Sequence, residues 1–345
     1  MRRSYDESDV RSRPNPKANR PRTKQRPEHA DAGRALVIGV DRGRYRILVD
    51  EGGPTEHEAI AMKARELGRE RVVCGDQVDV VGDVSGRDGS LSRIVRITER
   101  STVLRRTADD VDPIERVIVA NAQQLVIVTA LADPEPRTRM IDRCVVAAYD
   151  ARMRALLCLT KSDLADPGPL VRMYEPLGVD VVVVGRGTDD GGPTVDGLEV
   201  VRAELVGRTS VLVGHSGVGK STLVNALVPD ALRAVGVVND VTGRGRHTSS
   251  SAVALRLPGR DGWVIDTPGV RSFGLAHVRT EEILGAFSDL AAVVDDRCPR
   301  GCTHTEDAPD CALDVWVAED PATSEQRAER LDSLRRLLTS RAGEA

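Results

Sequence analysis

One stretch of the sequence decides the fold: a short apolar run that leads into a glycine-rich loop ending in Lys-Ser-Thr. It reads Val211-Leu212-Val213-Gly214-His215-Ser216-Gly217-Val218-Gly219-Lys220-Ser221-Thr222. From Gly214 onwards it satisfies G-x-x-x-x-G-K-[ST], and the run before it is typical of a buried strand. Glycines allow such a loop to curl round phosphates, so that its N–H groups and the N-terminus of the following helix face negative charge. The stretch therefore predicts a nucleoside triphosphate site, with Lys220 on the β- and γ-phosphates and Ser221 on Mg²⁺.

Two more nucleotide motifs flank this loop in an unusual order. Thr160-Lys161-Ser162-Asp163 comes about fifty residues before it, and Asp266-Thr267-Pro268-Gly269 comes about fifty residues after it. In ordinary guanine-nucleotide proteins the loop comes first and the Asn/Thr-Lys-x-Asp motif comes last. Each flanking motif follows an apolar run, as ligand-binding groups do at the carboxyl ends of parallel strands. We therefore predict an α/β P-loop GTPase domain with circularly permuted motif order at 115–285.

The rest of this domain alternates strand and helix patterns, as a doubly wound sheet requires. A buried strand is predicted at 125–129 and another at 179–184. A helix between them has one apolar face, formed by Met140, Ile141, Cys144, Val145 and Ala148. The glycine- and aspartate-rich residues 185–197 are predicted to be a linker. Within it, Gly185-Arg186-Gly187 occupies the place at which a fifth base-contacting loop is expected.

The base-reading motif favours guanine. A carboxylate at Asp163 can accept hydrogen bonds from the ring N1–H and the exocyclic amine of guanine, and adenine has no such pair of donors. A site with a buried polar partner rejects the analogue that leaves this partner unpaired. The sequence therefore predicts GTP rather than ATP. Three roles stay open for Lys161: its stem stacks on the base, it braces the phosphate loop, or it is a solvated loop lysine.

A basic, glycine-rich segment lies between the phosphate loop and Asp266. It reads Gly243-Arg244-Gly245-Arg246-His247-Thr248-Ser249-Ser250. Such a segment is expected to be mobile until γ-phosphate and Mg²⁺ order it, as in a switch loop. Thr248 is the candidate for a second hydroxyl on Mg²⁺, and Thr242 and Ser249 compete with it. Asp266 is expected to bind Mg²⁺ through water, and the Gly269 N–H is expected to sense the γ-phosphate.

Hydrolysis lacks its usual polar group. Many GTPases carry a water-orienting Gln just after Asp-x-x-Gly, but this chain has Val270, which cannot hydrogen-bond. Either a partner completes the site, or another residue supplies the missing group. His247 is the candidate catalytic residue, because a neutral imidazole can orient water and an arginine of the same segment can neutralise developing charge. Phosphate contact without catalysis is the alternative role for His247.

Near the C-terminus three cysteines and one histidine fall within a short segment. They are Cys298, Cys302, His304 and Cys311, the ligand set of a closed tetrahedral zinc site. An intracellular chain with an odd number of thiols in this cluster is a poor candidate for a disulfide. We predict one structural Zn²⁺ per chain in a mainly helical C-terminal domain at 286–345, which includes a helix at 324–338. The other cysteines, Cys74, Cys144 and Cys158, are predicted to be core thiols.

The region at 33–103 has the composition of a small β-barrel. Strand-forming segments at 34–40, 44–49, 71–73 and 76–81 are separated by turn residues, and the only helical pattern is at 59–67. We predict an OB-type β-barrel of five strands, which binds oligonucleotides in many proteins. Tyr45 is the only aromatic residue here, so RNA recognition would depend on shape and phosphate contacts. A generic barrel that acts only as a spacer is the alternative.

The first 32 residues form a basic arm. Between residues 11 and 27 there are seven Lys/Arg, four prolines and no acidic residue, although the whole chain of 345 residues has a net charge of −4. Such a segment cannot bury a core and is expected to be disordered. It either contacts a phosphate backbone or acts as a solubilising tail. No signal peptide or membrane span is recognisable, so we expect a cytoplasmic protein without a membrane partner.

Together these motifs resemble the RsgA (YjeQ) family of circularly permuted bacterial GTPases, which depend on the small ribosomal subunit. Phrases such as Gly-Arg-Gly-Arg-His-Thr, Asp-Thr-Pro-Gly-Val and Cys-Thr-His match the family's style over roughly residues 33–340. The resemblance implies a GTPase that binds the 30S particle and 16S rRNA, is stimulated by that particle and converts GTP to GDP late in its maturation. It also implies a monomer.

This sequence departs from the family pattern at two places. Thr160 replaces a commoner Asn, which puts the bracing hydrogen bonds of the base motif in question. The cluster is spaced C-x₃-C-x-H-x₆-C. The family more often has four residues between the first two cysteines and five between the histidine and the last cysteine. Two other functions stay open: a permuted GTPase of the large subunit, and an RNA-binding module that GTP stabilises without turnover.

Because the chain leaves the sheet just after Asp266, the zinc segment is expected to move with the switch.

Overall fold

The structure is a computed structural model that describes residues 29–41, 43–107, 115–189, 192–229, 252–267, 273, 278–285 and 287–342. The chain divides into two units, residues 1–31 and residues 32–345. In the first unit only residues 29–31 are described, so the predicted basic arm lies almost wholly outside the described residues.

The second unit begins with a closed five-stranded barrel. Its strands are β1 (Gly33–Asp41), β2 (Arg44–Val49), β3 (His57–Lys63), β4 (Gln77–Gly82) and β5 (Ser92–Ile97). They pair in the order β1-β2-β3-β5-β4, and β4 returns to β1 to close the barrel. Val37, Ile47, Val78 and Ile94 fill the interior with no exposed surface. This is the predicted OB-type topology.

One prediction for the barrel was wrong. The segment 59–67, read as helical, is the end of β3 followed by a 3₁₀ turn at Arg65–Leu67, and the segment 71–73 is not a strand. Alanines misled the helical interpretation, because Ala59 and Ala61 are good helix formers. In the fold both are buried on the inner face of β3, whereas Met62 is exposed, which is the alternation of a strand.

The predicted GTPase domain is a mostly parallel sheet covered by helices. After the hairpin β6 (Val103–Thr107) and β7 (Glu115–Ala120) come β8 (Gln124–Ala130), α1 (Thr138–Asp150), β9 (Arg154–Thr160), α2 (Gly168–Tyr174) and β10 (Asp180–Val183). The second half contains α3 (Leu198–Leu205), β13 (Thr209–Gly214), α4 (Lys220–Leu227), β14 (Val253–Arg256) and β15 (Trp263–Asp266). The strand order is β10-β9-β8-β13-β15-β14, in which only β14 is antiparallel to its neighbour.

The predicted linker at 185–197 is instead a β-hairpin. It consists of β11 (Gly185–Asp189) and β12 (Gly192–Asp196), which pair with each other and with no other strand among the described residues. Its glycine and aspartate content resembles that of a loop. A two-stranded ribbon can hydrogen-bond its backbone without the apolar alternation by which strands are recognised.

Within the described ranges, four helices complete the unit: α5 (Thr280–Gly285), α6 (Ser288–Arg297), α7 (Ala312–Ala318) and α8 (Ser324–Ala342). Leu331, Leu334 and Leu337 of α8 are buried in the same core as Ile141 and Val145 of α1. The predicted C-terminal helix is therefore present and four residues longer than the sequence indicated. None of the helices that the structure describes is long and apolar enough to cross a membrane.

Two arginines of α8 fix it to the GTPase domain. Arg336 donates to the buried Asp142 carboxylate of α1 at 3.2 Å, and the Tyr174 hydroxyl donates to the same oxygen at 3.0 Å. Arg330 donates to Asp289 and to the carbonyl of Pro176. The Arg336 contact ties α8 to α1 at a carboxylate that is 2% exposed, and the Arg330 contacts tie it to α6 and to the turn after α2.

Candidate functional site

The phosphate loop connects β13 to α4 with a backbone that only glycine permits. A Cβ at Gly214 would lie 2.5 Å from the Val128 carbonyl oxygen, so β13 and β8 approach too closely for a side chain here. Gly217 and Gly219 have φ angles of +84° and +90°, in the left-handed region. Ser221 and Thr222 are exposed in the first turn of α4. This is the strand–loop–helix geometry that holds phosphates at a helix N-terminus.

Lys220 and Asp266 meet beside this loop. The Lys220 ammonium donates to a carboxylate oxygen of Asp266, and the two side chains are 12% and 31% exposed. The pairing follows from the sheet, because β13 and β15 are parallel neighbours with Leu212 opposite Asp266. The Thr267 hydroxyl donates to the Leu212 carbonyl at 2.7 Å, which fixes the start of the Asp-x-x-Gly motif on β13. The structure thus brings together two motifs that are distant in sequence.

Thr160 braces the phosphate loop. Its hydroxyl, 5% exposed, lies 2.6 Å from the carbonyl oxygen of Val218 and 3.2 Å from that of Thr129. The shorter contact is a hydrogen bond that the hydroxyl donates into the loop. Threonine in place of asparagine therefore keeps a bracing bond between the base motif and the phosphate loop.

The loop after β8 contacts both motifs. The Lys161 ammonium donates to the Asp133 carbonyl, so this lysine is tied to protein rather than solvated. From the same loop, Arg137 Nη1 lies 2.8 Å from Nε2 of His215 in the phosphate loop. Sequence reasoning missed Asp133 and Arg137, because neither belongs to a motif. The only available signal was their place just after a buried strand, where functional loops of such sheets occur.

Asp163 lies exposed at the end of β9 beside the β11–β12 hairpin. Its Oδ1 accepts a hydrogen bond from the Arg186 main-chain N–H at 3.1 Å. A Cβ on Gly185 would lie 2.6 Å from Ser162 Oγ, so glycine allows the hairpin to approach the base motif. The backbone of residues 185–186 therefore orients the carboxylate that is predicted to read guanine.

Several predicted site residues lie outside the described residues. They are Thr242, His247, Thr248, Ser249, Gly269 and Val270, together with the rest of the segment 243–250. Their roles stay predictions. The predicted nucleotide-site residues that the structure does describe are those of the phosphate loop, the base motif and Asp266.

A second site lies between α6 and α7. The ligand atoms of Cys298, Cys302, His304 and Cys311 all lie within 4.8 Å of one another. His304 Nδ1 is 3.7 Å from Cys298 Sγ and 3.8 Å from Cys311 Sγ. In a tetrahedral zinc site with ordinary Zn–S and Zn–N bonds, a sulfur and a nitrogen ligand lie about 3.6 Å apart. The four residues therefore fit Zn²⁺ in both chemistry and spacing.

The surroundings of His304 suit a metal ligand. Burial, and after it the charge of Arg335, lowers the pKa of the His304 imidazole, which favours the neutral ring that binds metal. Arg335 of α8 also donates to the His304 carbonyl at 3.3 Å and to Asp314 of α7 at 2.8 Å, which supports the cluster from behind.

The other three cysteines are buried and apart from this cluster. They are Cys74, Cys144 and Cys158, and burial raises the pKa of each thiol to about 12.

Comparison with known proteins adds a family to this geometry. A family model described as "RsgA GTPase" matches residues 97–276. A "Small ribosomal subunit biogenesis GTPase RsgA" from Ectopseudomonas mendocina is 39% identical over 230 residues, which are 65% of this chain and 63% of that relative. One of the same name from Chlorobaculum parvum is 33% identical over 313 residues, which are 88% of this chain and 97% of that relative. The crystal structure of YjeQ from Thermotoga maritima has a TM-score of 0.60 at 22% identity, and the match covers 88% of this chain and 98% of that one. The similarity to YjeQ confirms the predicted fold class.

Proposed function

The chain belongs to the RsgA family of GTPases, and from this premise we propose that it hydrolyses GTP on the small ribosomal subunit during maturation of that particle. One observation carries the proposal: phosphate loop, base motif and Asp266 assemble at one edge of the sheet although their order along the chain is rotated. The names of the relatives, which are small-subunit biogenesis GTPases, support the subunit as partner. We further propose a cytoplasmic monomer that contacts 16S rRNA.

The residues divide the work of phosphoryl transfer between them. Lys220 would neutralise charge on the β- and γ-phosphates, Ser221 would hold the Mg²⁺ that accompanies GTP, and Asp266 would bind that ion through water. Thr160 holds the loop in shape, and Asp163, oriented by the hairpin, selects guanine. One hydroxyl of the switch segment, for which Thr248 is the candidate, and the Gly269 N–H would complete the site when γ-phosphate is present. The metal offsets charge that develops on the phosphate oxygens.

Zinc has a structural role in this proposal. Four protein ligands leave no open coordination position for water, so the Cys₃His site cannot take part in hydrolysis. Its function is to shape the loop between α6 and α7.

The proposal is tested by GTP turnover in the presence and absence of purified ribosomal subunits. Turnover is expected to be faster with 30S particles and to stay at the basal rate with 50S particles, and the protein is expected to co-sediment with 30S. Stimulation by 50S alone would favour the large-subunit alternative. Binding to 30S with no turnover under any condition would favour the static RNA-binding module. Salt must be fixed, because binding to rRNA through Lys and Arg depends on it.

His247→Ala is expected to lower the 30S-stimulated rate by about 10²-fold or more, while basal rate and 30S binding change little. The reason is that Val270 cannot orient water, so the imidazole is the candidate for this task. Turnover at saturating 30S is the measurement. Full stimulation of the variant would mean that His247 is only a contact residue and that the particle supplies the polar group.

Asp163→Asn is expected to weaken GTP and to favour xanthosine triphosphate, because the amide offers a donor to the altered base edge. The substituted side chain would keep an oxygen for the Arg186 N–H, so the geometry of the motif survives. Competition between the two nucleotides measures the effect. If the variant keeps the parental preference for GTP, another residue reads the base.

Thr160→Val is expected to reduce GTP affinity by about tenfold, because it removes a bond into the phosphate loop and leaves a buried carbonyl unpaired. Valine has nearly the same shape, so packing is preserved. Thr160→Ser keeps the hydroxyl and is the matched control. Equal nucleotide affinity of the valine and serine variants would contradict the bracing role.

A further inference from the structure

The barrel and the nucleotide site are joined by the hairpin β14–β15. Gly39 of β1 pairs with Val253 of β14, and Val253 pairs in turn with Asp266 of β15. Asp266 pairs with Leu212 of β13 and its side chain accepts from Lys220. One row of neighbouring residues therefore runs from the barrel through the carboxylate beside the phosphate loop to the strand that carries the loop.

The barrel also holds the other end of this hairpin. In the loop between β2 and β3, the Glu56 carboxylate accepts from Arg256 Nη1 at 2.6 Å and from Arg260. The Trp263 indole N–H donates to Glu51 of the same loop at 2.9 Å. The Arg256 guanidinium lies 5.0 Å from the centroid of the Trp263 ring, which completes a compact cluster.

Glu56 is the side chain on which this cluster depends. It is 9% exposed and accepts from both Arg256 and Arg260, and Arg256 Nε is buried without an acceptor among the described residues. Loss of a buried partner is costly, whereas an exposed pair contributes little. Glu58 of β3 provides the contrast, because it is 56% exposed and pairs with Arg46 of β2, so both partners belong to the barrel strands.

We infer that the barrel is a working part of the GTP site, and that Glu56 is a positioning residue for hydrolysis, acting through β14–β15 on the place of Asp266. The inference rests on the proposed function, in which Asp266 holds Mg²⁺. Coupling between two sites is reciprocal. Exchange of GDP for GTP is therefore expected to change the surroundings of Trp263. This residue lies at the end of the hairpin away from Asp266, where it contacts Glu51.

Tryptophan fluorescence tests this coupling without turnover. The chain has two tryptophans, Trp263 and Trp316, so a Trp316→Phe background isolates the emission of Trp263. We expect different emission with GDP and with a non-hydrolysable GTP analogue. Glu56→Gln is expected to abolish the difference and Glu58→Gln to keep it. Identical emission in the two nucleotide states of the parent would overturn the inference.

Intrinsic turnover, measured without ribosomal particles, provides the second test. Glu56→Gln is expected to lower kcat by about tenfold, since small displacements of a catalytic group have effects of this size or larger. The KM for GTP should stay within about twofold of the parent's. The Mg²⁺ concentration that gives half-maximal rate should rise, and this rise is the change that a purely structural role would not cause. Glu56→Asp should restore part of the rate. Equal kcat and Mg²⁺ dependence of Glu56→Gln and Glu58→Gln would overturn the inference.

Two controls separate the possible failures. If Glu56→Gln unfolds the barrel, Arg256→Gln, which removes the charge opposite Glu56 and leaves the barrel sequence unchanged, decides by the same kcat and Mg²⁺ criteria. If the parent chain hydrolyses no GTP at all, the proposed function fails, and the Trp263 emission still decides whether barrel and nucleotide site are coupled.

Discussion

Lys220→Ala is expected to lower GTP turnover by about 10²- to 10³-fold or more, with and without 30S particles, because it removes the only cation of the phosphate loop. The loss is expected in both nucleotide affinity and kcat, since the ammonium contacts phosphates in the ground state and in the transition state. Turnover and the affinity for a fluorescent GTP analogue are the measurements.

The fold is expected to survive this change. Lys220 is paired with Asp266, but that carboxylate is 31% exposed and can be hydrated when the ammonium is gone. Lys63→Ala is a matched control, because the Lys63 ammonium also binds protein oxygens, the carbonyls of Gly68 and Glu70, far from the motifs in sequence. Turnover of Lys220→Ala at the rate of Lys63→Ala would refute the assignment of the loop.

Cys302→Ser is expected to lose the metal and to loosen the segment from Cys298 to Cys311, with GTP binding retained. Structural zinc sites contribute about 10 kcal/mol or more to the folding of small zinc modules, so this is a large local effect. Metal analysis and hydrogen exchange of the segment are the measurements. The parent should contain one zinc per chain and the variant almost none.

The structure limits how far this unfolding should spread. Leu331, Leu334 and Leu337 are buried in the core shared with α1, so α8 should keep its place without metal. Cys144→Ala is the matched control, since this thiol is buried outside the cluster and its loss should leave the zinc content at one. One zinc per chain in Cys302→Ser would show that the cluster is not the site.

Motif spacing predicted the nucleotide and metal sites because each is made of short segments with strict local requirements. Gly214 and Lys220 must stand at fixed separation whatever the fold around them, and the same holds for Cys298 and Cys302. The strand order could be predicted only as far as the motifs had to meet at one edge.

The remaining contacts depend on tertiary structure. Arg186 reaches Asp163 through a main-chain N–H, for which residue type carries no signal. Glu56 and Arg256 are distant in sequence and have no pattern of their own. The error at 59–67 has the same origin, because closure of the barrel overrides helix propensity.

Two adjacent arginines on α8 limit how far the segment from Cys298 to Cys311, which carries the Cys₃His cluster, can move. Arg335 donates a hydrogen bond to the carbonyl of His304 in the Cys₃His cluster. Arg336, the next residue of the helix, donates to the carboxylate of Asp142 in α1. The segment is therefore fixed to α8, and α8 is fixed to α1, whose preceding loop contacts Lys161 and His215. A displacement of the segment would have to break these contacts or move α1 with it. A force on the Cys₃His segment would therefore be transmitted through α8 and α1 to the nucleotide site, and a chain truncated after Leu334 would lose this transmission.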